Sequence, residues 1–140
     1  MNLPSTDLDP VSKPFELQAR VRSFRHAFRG LLRMLRSQHN AWLHAAATLA
    51  VIAASWWFHI SAADWCWIVL AISIVWTAEA FNTALELLAD VASPEFHPLV
   101  RDAKDVAAGA VLMAAIAAAV IGTIIFWPHV AVLFSGQTRV

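Results

Sequence analysis

Four polar residues, Glu79, Asn82, Glu86 and Asp90, sit at helical spacing inside a segment apolar enough to lie in a membrane. At about 100° per residue, Asn82, Glu86 and Asp90 fall about −60°, −20° and +20° from Glu79, so all four project from one side of one helix. Ionisable groups at membrane depth cost about 2.5–3.5 kcal/mol each on insertion scales, face a bundle interior and mark functional sites. The competing reading is a salt-bridged stripe on a soluble helix, and the apolar flanking sequence argues against it. With the helix running from outside to inside, Glu86 lies close to the inner interface and Glu79 about 16 Å before the helix end, at 1.5 Å per residue. An acid near the interface can bind a divalent cation carrying nucleotide phosphates, since Mg²⁺ keeps several waters and takes one or two carboxylates plus phosphate oxygens. A deeper acid meets only membrane-borne substrate and suits a general base for a hydroxyl that loses its proton in phosphoryl transfer. Lys104 and Asp105, across the following loop, add a cation for phosphate and another acid for metal or ribose. No Gly-rich phosphate loop of the Walker or kinase type occurs, so a nucleotide site must be built from helix faces.

These acids also fit a second class of function, a small oligomeric proton or cation pathway lined by Glu79, Glu86 and Asp90. Lys104, Asp105 and His97 favour the enzyme, because a pathway has no need of a phosphate-binding cation on the inner side.

The elements that must position these groups follow from composition. The chain has 140 residues, 59% of them hydrophobic and only 14% charged, with mean hydropathy +0.60, which makes it one domain with lipid as its solvent. Segments 42–60, 65–88 and 106–127 each approach the roughly 20 residues that a bilayer core requires. Residues 1–14 read as a loose tail and 131–140 as a C-terminal tail, leaving an all-α membrane domain over 15–130. Within 15–36, Val21, Phe24, Phe28, Leu31 and Leu35 recur every three or four residues, and Arg22, Arg25, Arg29, Arg33 and Arg36 form a second stripe. This predicts a basic amphipathic helix for the anionic inner leaflet or for a phosphorylated ligand. Gly30 in its middle predicts a close approach to a neighbour or a bend.

Lys13 and the arginines from Arg20 to Arg36 precede the first apolar segment, Arg101 and Lys104 lie between the second and third, and no Lys or Arg lies between the first and second. The positive-inside rule then makes the N-terminus and the second loop cytoplasmic. The polar, basic first 40 residues do not resemble a secretory signal peptide. Cys66 is alone, which excludes a disulfide within the chain and suggests no Cys-based metal site. Asp64 is placed to cap the second segment, and Pro94 and Pro98 break the chain before Arg101 opens the third. Ala107, Ala108, Gly109, Ala114, Ala115, Ala118 and Ala119 allow close helix approach, and Trp56, Trp57, Trp65, Trp67 and Trp127 gather at the outer ends as an aromatic belt.

The pattern Glu79-x-x-Asn82-Thr83-Ala84-x-Glu86-x-x-x-Asp90, followed by Glu95-Phe96-His97 and Ala103-Lys104-Asp105-x-Ala107-Ala108, resembles the signature of the small prokaryotic diacylglycerol kinase family, which includes undecaprenol kinases. The likeness extends upstream through Ser23-Phe24-x-x-Ala27-x-x-Gly30-Leu31 and Asn40-x-x-x-His44, so it covers about 22–122. It implies a homotrimer of subunits with a surface helix and three transmembrane helices in the bacterial cytoplasmic membrane. Each would move the γ-phosphate of MgATP to a lipid alcohol, diacylglycerol or undecaprenol, at the cytoplasmic face. No nucleic-acid partner is expected. Position by position, the resemblance makes Glu79 the catalytic base, Glu86 a metal and nucleotide carboxylate, and Asn82 a group holding the reacting substrate. It makes Glu95, His97, Lys104 and Asp105 nucleotide contacts, with His26 beside them and either Arg20 or Arg22 as a further contact. Where family members carry a second metal-binding glutamate before the first span, this chain has Gln38, whose amide offers a carbonyl oxygen but no charge.

Overall fold

A computed structural model of the protein describes residues 17–135; the 1–14 tail, Lys13 and Arg139 lie outside the described residues. Four α-helices account for almost all of them, with no strand among the described residues: α1 Leu17–Ser37, α2 His39–Trp57, α3 Ala62–Ala92 and α4 Pro98–Ser135. Two of these, α3 and α4, are long and apolar enough to cross a membrane. Helix α2 does not reach that mark, because His39, Asn40 and His44 occupy the first two turns of only 19 residues.

A single residue, Gln38, separates α1 from α2. Its extended backbone (φ −108°, ψ 121°) turns the chain while its N–H still bonds the Met34 carbonyl at 3.0 Å. The junction is therefore one residue of β conformation, shorter than the polar stretch 37–40 suggests. Val21, Phe24, Phe28 and Leu31 of α1 remain exposed, while Leu35 near the junction is half-buried. The space around Gly30 is also open, so no neighbour within the chain requires a glycine there.

The turn between α2 and α3 is tight, and His59 takes a left-handed φ of 50° with its Nδ1 donating to the Trp57 carbonyl at 3.1 Å. The cap of α3 differs from expectation. Ser61 is the N-cap: its hydroxyl accepts the Asp64 N–H at 3.1 Å and donates to the Asp64 carboxylate at 2.7 Å. Asp64 stands three residues inside the helix, where its charge answers the hydroxyl and the positive end of the helix dipole. Pro98 does not end order before Arg101, as expected, but starts α4. It occupies the first helical position, where a missing N–H costs nothing. Helix α4 also continues past Trp127, through Pro128, to Ser135. Pro128 leaves the Ile124 carbonyl without its usual helical N–H, a loss spread over one turn.

Packing is uneven along the helices. Ala107, Val111 and Ala114 of α4 are buried, small enough to let the long helix run close beside α3. At the α2–α3 turn, Ile60, Ile68 and Ile125 form an apolar cluster with Phe58, Trp65 and Phe126 against it. Trp56 meets Trp65 edge-on at 5.6 Å in the same region. Between its ends α2 touches α3 more sparsely, through a hydrogen bond from the Trp76 indole to the Thr48 hydroxyl at 3.0 Å.

That bond sits among apolar side chains, where an orphaned donor is expensive. Thr48→Val is expected to cost about 1–3 kcal/mol by leaving the Trp76 N–H unpaired, while adding Trp76→Phe restores part of the loss by removing the orphan. Thermal unfolding of the detergent-solubilised protein, followed by circular dichroism, checks the order. A double variant less stable than Thr48→Val alone would show that packing, rather than the hydrogen bond, dominates.

Candidate active site

The polar face of α3 is where burial and chemistry disagree most. Glu79, Asn82 and Thr83 are 1%, 5% and 4% exposed, although all three are polar. Glu79 Oε1 and Oε2, Asn82 Oδ1 and Thr83 Oγ1 are buried with no hydrogen-bond partner. Buried polar atoms are almost always paired, so four orphans on adjacent turns of one helix signal a place prepared for a ligand.

One turn toward the C-terminal end of α3, Glu86 is in the opposite state. Asn82 Nδ2 donates to its Oε1 at 3.1 Å, and Gln38 Nε2 donates to its Oε2 at 2.6 Å. The break at Gln38 brings that side chain across from the α1–α2 junction to α3. The sequence-predicted residues Gln38, Asn82 and Glu86 thus form one connected group. Among the described residues no cluster of three or more His, Cys, Asp or Glu side chains could hold a metal ion by itself. One carboxylate flanked by two amides nevertheless fits Mg²⁺ that arrives with nucleotide phosphates, because most of its ligands are then water and phosphate oxygen.

Asp90, one further turn along α3, receives the Lys104 Nζ of α4 at 2.6 Å. The pair is largely exposed and closes α3 onto α4 beside the loop. His97 begins α4: its carbonyl accepts the N–H groups of Val100 and Arg101, both at 3.1 Å, and its Nδ1 accepts the Leu99 N–H at 3.3 Å. The rest of its side chain is exposed. Glu95 and Asp105 are exposed on either side of this helix start, and His26 is exposed on α1. These three share no hydrogen bond with the Glu86 group among the described residues. Arg20 and Arg22 lie on the exposed surface of α1.

Two residues that were not assigned roles stand at the site. Thr83 is buried one turn from Glu79, and its spacing on the stripe was a usable signal. His44 of α2 places its Nε2 4.0 Å from Glu79 Oε2, a proximity across two helices that spacing within one helix does not reveal.

The family model described as prokaryotic diacylglycerol kinase matches residues 25–126. The chain is 39% identical over 113 residues to undecaprenol kinase of Bacillus subtilis, covering 81% of this chain and 92% of that protein. It is 38% identical over 107 residues to a diacylglycerol kinase of Synechocystis, covering 76% of this chain and 61% of that one. To diacylglycerol kinase of Escherichia coli K12 it is 32% identical over 97 residues, 64% of this chain and 79% of that enzyme. The chain belongs to the prokaryotic diacylglycerol kinase family.

The contact between Gln38 and Glu86 makes a test of the metal site. In Gln38→Glu two carboxylates would face each other where an amide now donates, so the variant is expected to melt lower without divalent cation and to regain stability with Mg²⁺. Its turnover should need less Mg²⁺ than the parent, since two carboxylates hold the ion better than one. Melting curves and rates measured against Mg²⁺ concentration check both. An unchanged Mg²⁺ dependence of both would place position 38 outside the metal shell.

Proposed function

We propose that this protein is a lipid kinase that moves the γ-phosphate of ATP to the hydroxyl of a membrane lipid alcohol. The carrying observation is the Glu79 carboxylate, buried at 1% exposure with both oxygens free of hydrogen bonds, on the same helix face as the amide-held Glu86. A carboxylate so placed has lone pairs for an incoming hydroxyl. The family and its named relatives support the reading and leave the proton or cation pathway without support.

In this reading α2, α3 and α4 are the three spans, and α1 lies on the inner leaflet with its exposed apolar stripe in the acyl boundary and its arginines toward phosphate headgroups. Three such chains assemble, and the N-terminus, the α3–α4 loop and the nucleotide are cytoplasmic. The wide apolar exposure of α3 and α4 supports contact with lipid or with other subunits.

The nucleotide enters from the loop side. Glu86, with Gln38 and Asn82 around it, would hold Mg²⁺ carrying the nucleotide phosphates, and the ion would supply charge neutralisation there. Lys104 turns from Asp90 toward phosphate, while Glu95, His97 and Asp105 line the approach of the nucleotide. The lipid hydroxyl reaches Glu79 from within the bilayer. Glu79 takes its proton as the hydroxyl oxygen bonds to the γ-phosphorus, and the bond to the β-phosphate oxygen breaks to release ADP. Asn82 helps to hold the reacting groups in line. The product is phosphatidic acid from diacylglycerol, or undecaprenyl phosphate from undecaprenol.

Purified protein supplied with radiolabelled ATP, Mg²⁺ and each of the two alcohols in parallel is expected to label lipid. The preferred acceptor names the substrate, and no transfer to either would overturn the reading. Glu79→Gln should retain the fold and lose about 10²–10⁴-fold in rate, as removal of a general base does. Near-normal turnover in that variant would take Glu79 out of the base role.

Glu86→Ala and Lys104→Ala are expected to raise the apparent KM for MgATP more than that for the lipid. Effects confined to lipid KM would reverse the assigned depths.

A further inference from the structure

His44 is the one ring nitrogen that approaches the buried Glu79, with Nε2 4.0 Å from Oε2. It stands on α2 and the acid on α3, so the pair is made by packing. Its side chain is 18% exposed and borders a groove of about 470 Å³ between α2, α3 and α4. The groove wall beyond it is apolar or small, with Ala47, Val51, Ala71 and Ala115 among its residues, and holds no other titratable side chain. Glu79 Oε1 and Oε2 have no hydrogen-bond donor of their own. A base must nevertheless be held in one rotamer to meet a hydroxyl in line with phosphorus, since small misplacements of reacting groups cost rate steeply.

We propose that His44 is the positioning residue for Glu79. A small rotation of the imidazole closes the 4.0 Å gap to hydrogen-bond length, so that Nε2–H donates to Oε2 and leaves Oε1 turned to the acceptor hydroxyl. The inference rests on Glu79 being the base of the proposed kinase. His44 then acts through Glu79 and contributes to the rate without contributing to nucleotide binding.

The test is a pair of substitutions read two ways. His44→Ala removes the donor and is expected to lower kcat about 10- to 100-fold, with KM for ATP and for the lipid changed less than about threefold. His44→Gln, which keeps an N–H donor at similar reach, is expected to recover more than half of the lost kcat on a logarithmic scale. Thermal melts and size-exclusion profiles of both variants establish that they are folded, and His44→Gln serves if His44→Ala is not. Three kinetic results overturn the proposal: full kcat in His44→Ala, no recovery in His44→Gln, or a defect that disappears at saturating lipid, which would make His44 a wall of the lipid site instead.

The second reading needs no turnover, so it separates failure of this inference from failure of the kinase assignment. In ring-¹⁵N NMR spectra of the detergent-solubilised protein, Glu79→Gln should shift the His44 Nε2 resonance, while His129, near the α2–α3 turn, stays in place. An unmoved His44 resonance would show that the two groups do not interact.

Discussion

Burying a carboxylate without giving it a hydrogen bond is the constraint around which the rest of this structure is arranged. An unpaired charge in an apolar interior costs several kcal/mol even after relaxation. Glu79 is 1% exposed and both its oxygens lack donors. The opposing contributions are spread over the helices around it. Helix α3 bonds the backbone of its interior within itself along 31 residues, as a segment in hydrocarbon requires. Ala107, Val111 and Ala114 hold α4 close along it, and the isoleucine cluster at the far turn fixes α2 beside both. The acid is the place where the fold gives up stability, and the proposed base role supplies the reason, since unsatisfied polarity gathers at functional sites.

The contrast with Glu86 shows that the missing donors are specific to one residue rather than a property of the whole stripe. The two acids are seven residues apart, about two turns, and so share a helix face. Glu86 receives an amide donor on each oxygen, one from its own helix and one from the α1–α2 junction. Neutral donors stabilise its charge without cancelling it, which leaves the carboxylate fit for a cation. Had Gln38 continued a single helix from α1 into α2, its side chain would have followed the helical screw instead of turning in to α3. The one-residue break therefore supplies one of the two amide donors that hold Glu86.

The helical period made part of this legible in the sequence. Residue number converts directly to angle on one helix, so Glu79, Asn82, Glu86 and Asp90 could be placed on one face before any coordinates. The same rule reaches Thr83, whose burial shows that the face is broader than its acids. At the start of α3 the sequence points to Asp64 for the cap, and the hydroxyl geometry gives that place to Ser61 instead. For α4, the sequence puts Pro98 in the break before Arg101, whereas it is the first helical residue. The ring nitrogen and carbonyl of His97, placed on the first N–H groups, mark that start.

What was not legible is pairing between helices, and the reason is physical. Apolar faces of Ala, Val and Ile pack adequately in several rotations about the helix axis, because dispersion contacts are individually small and undirected. Directed polar contacts remove that freedom. On α2, His44 faces Glu79 and Thr48 receives the Trp76 indole 28 residues away, while Ser55 is fully buried and bonds the Val51 carbonyl within its own helix. Positions 44, 48, 51 and 55 repeat at four and three residues, the stripe that a helix turns toward a neighbour. In the sequence His44 and Thr48 look like stray polarity within a candidate span. Their arrangement gives that polarity a use: His44 and Thr48 fix the rotation of α2 against α3, and so bring an imidazole to the buried acid.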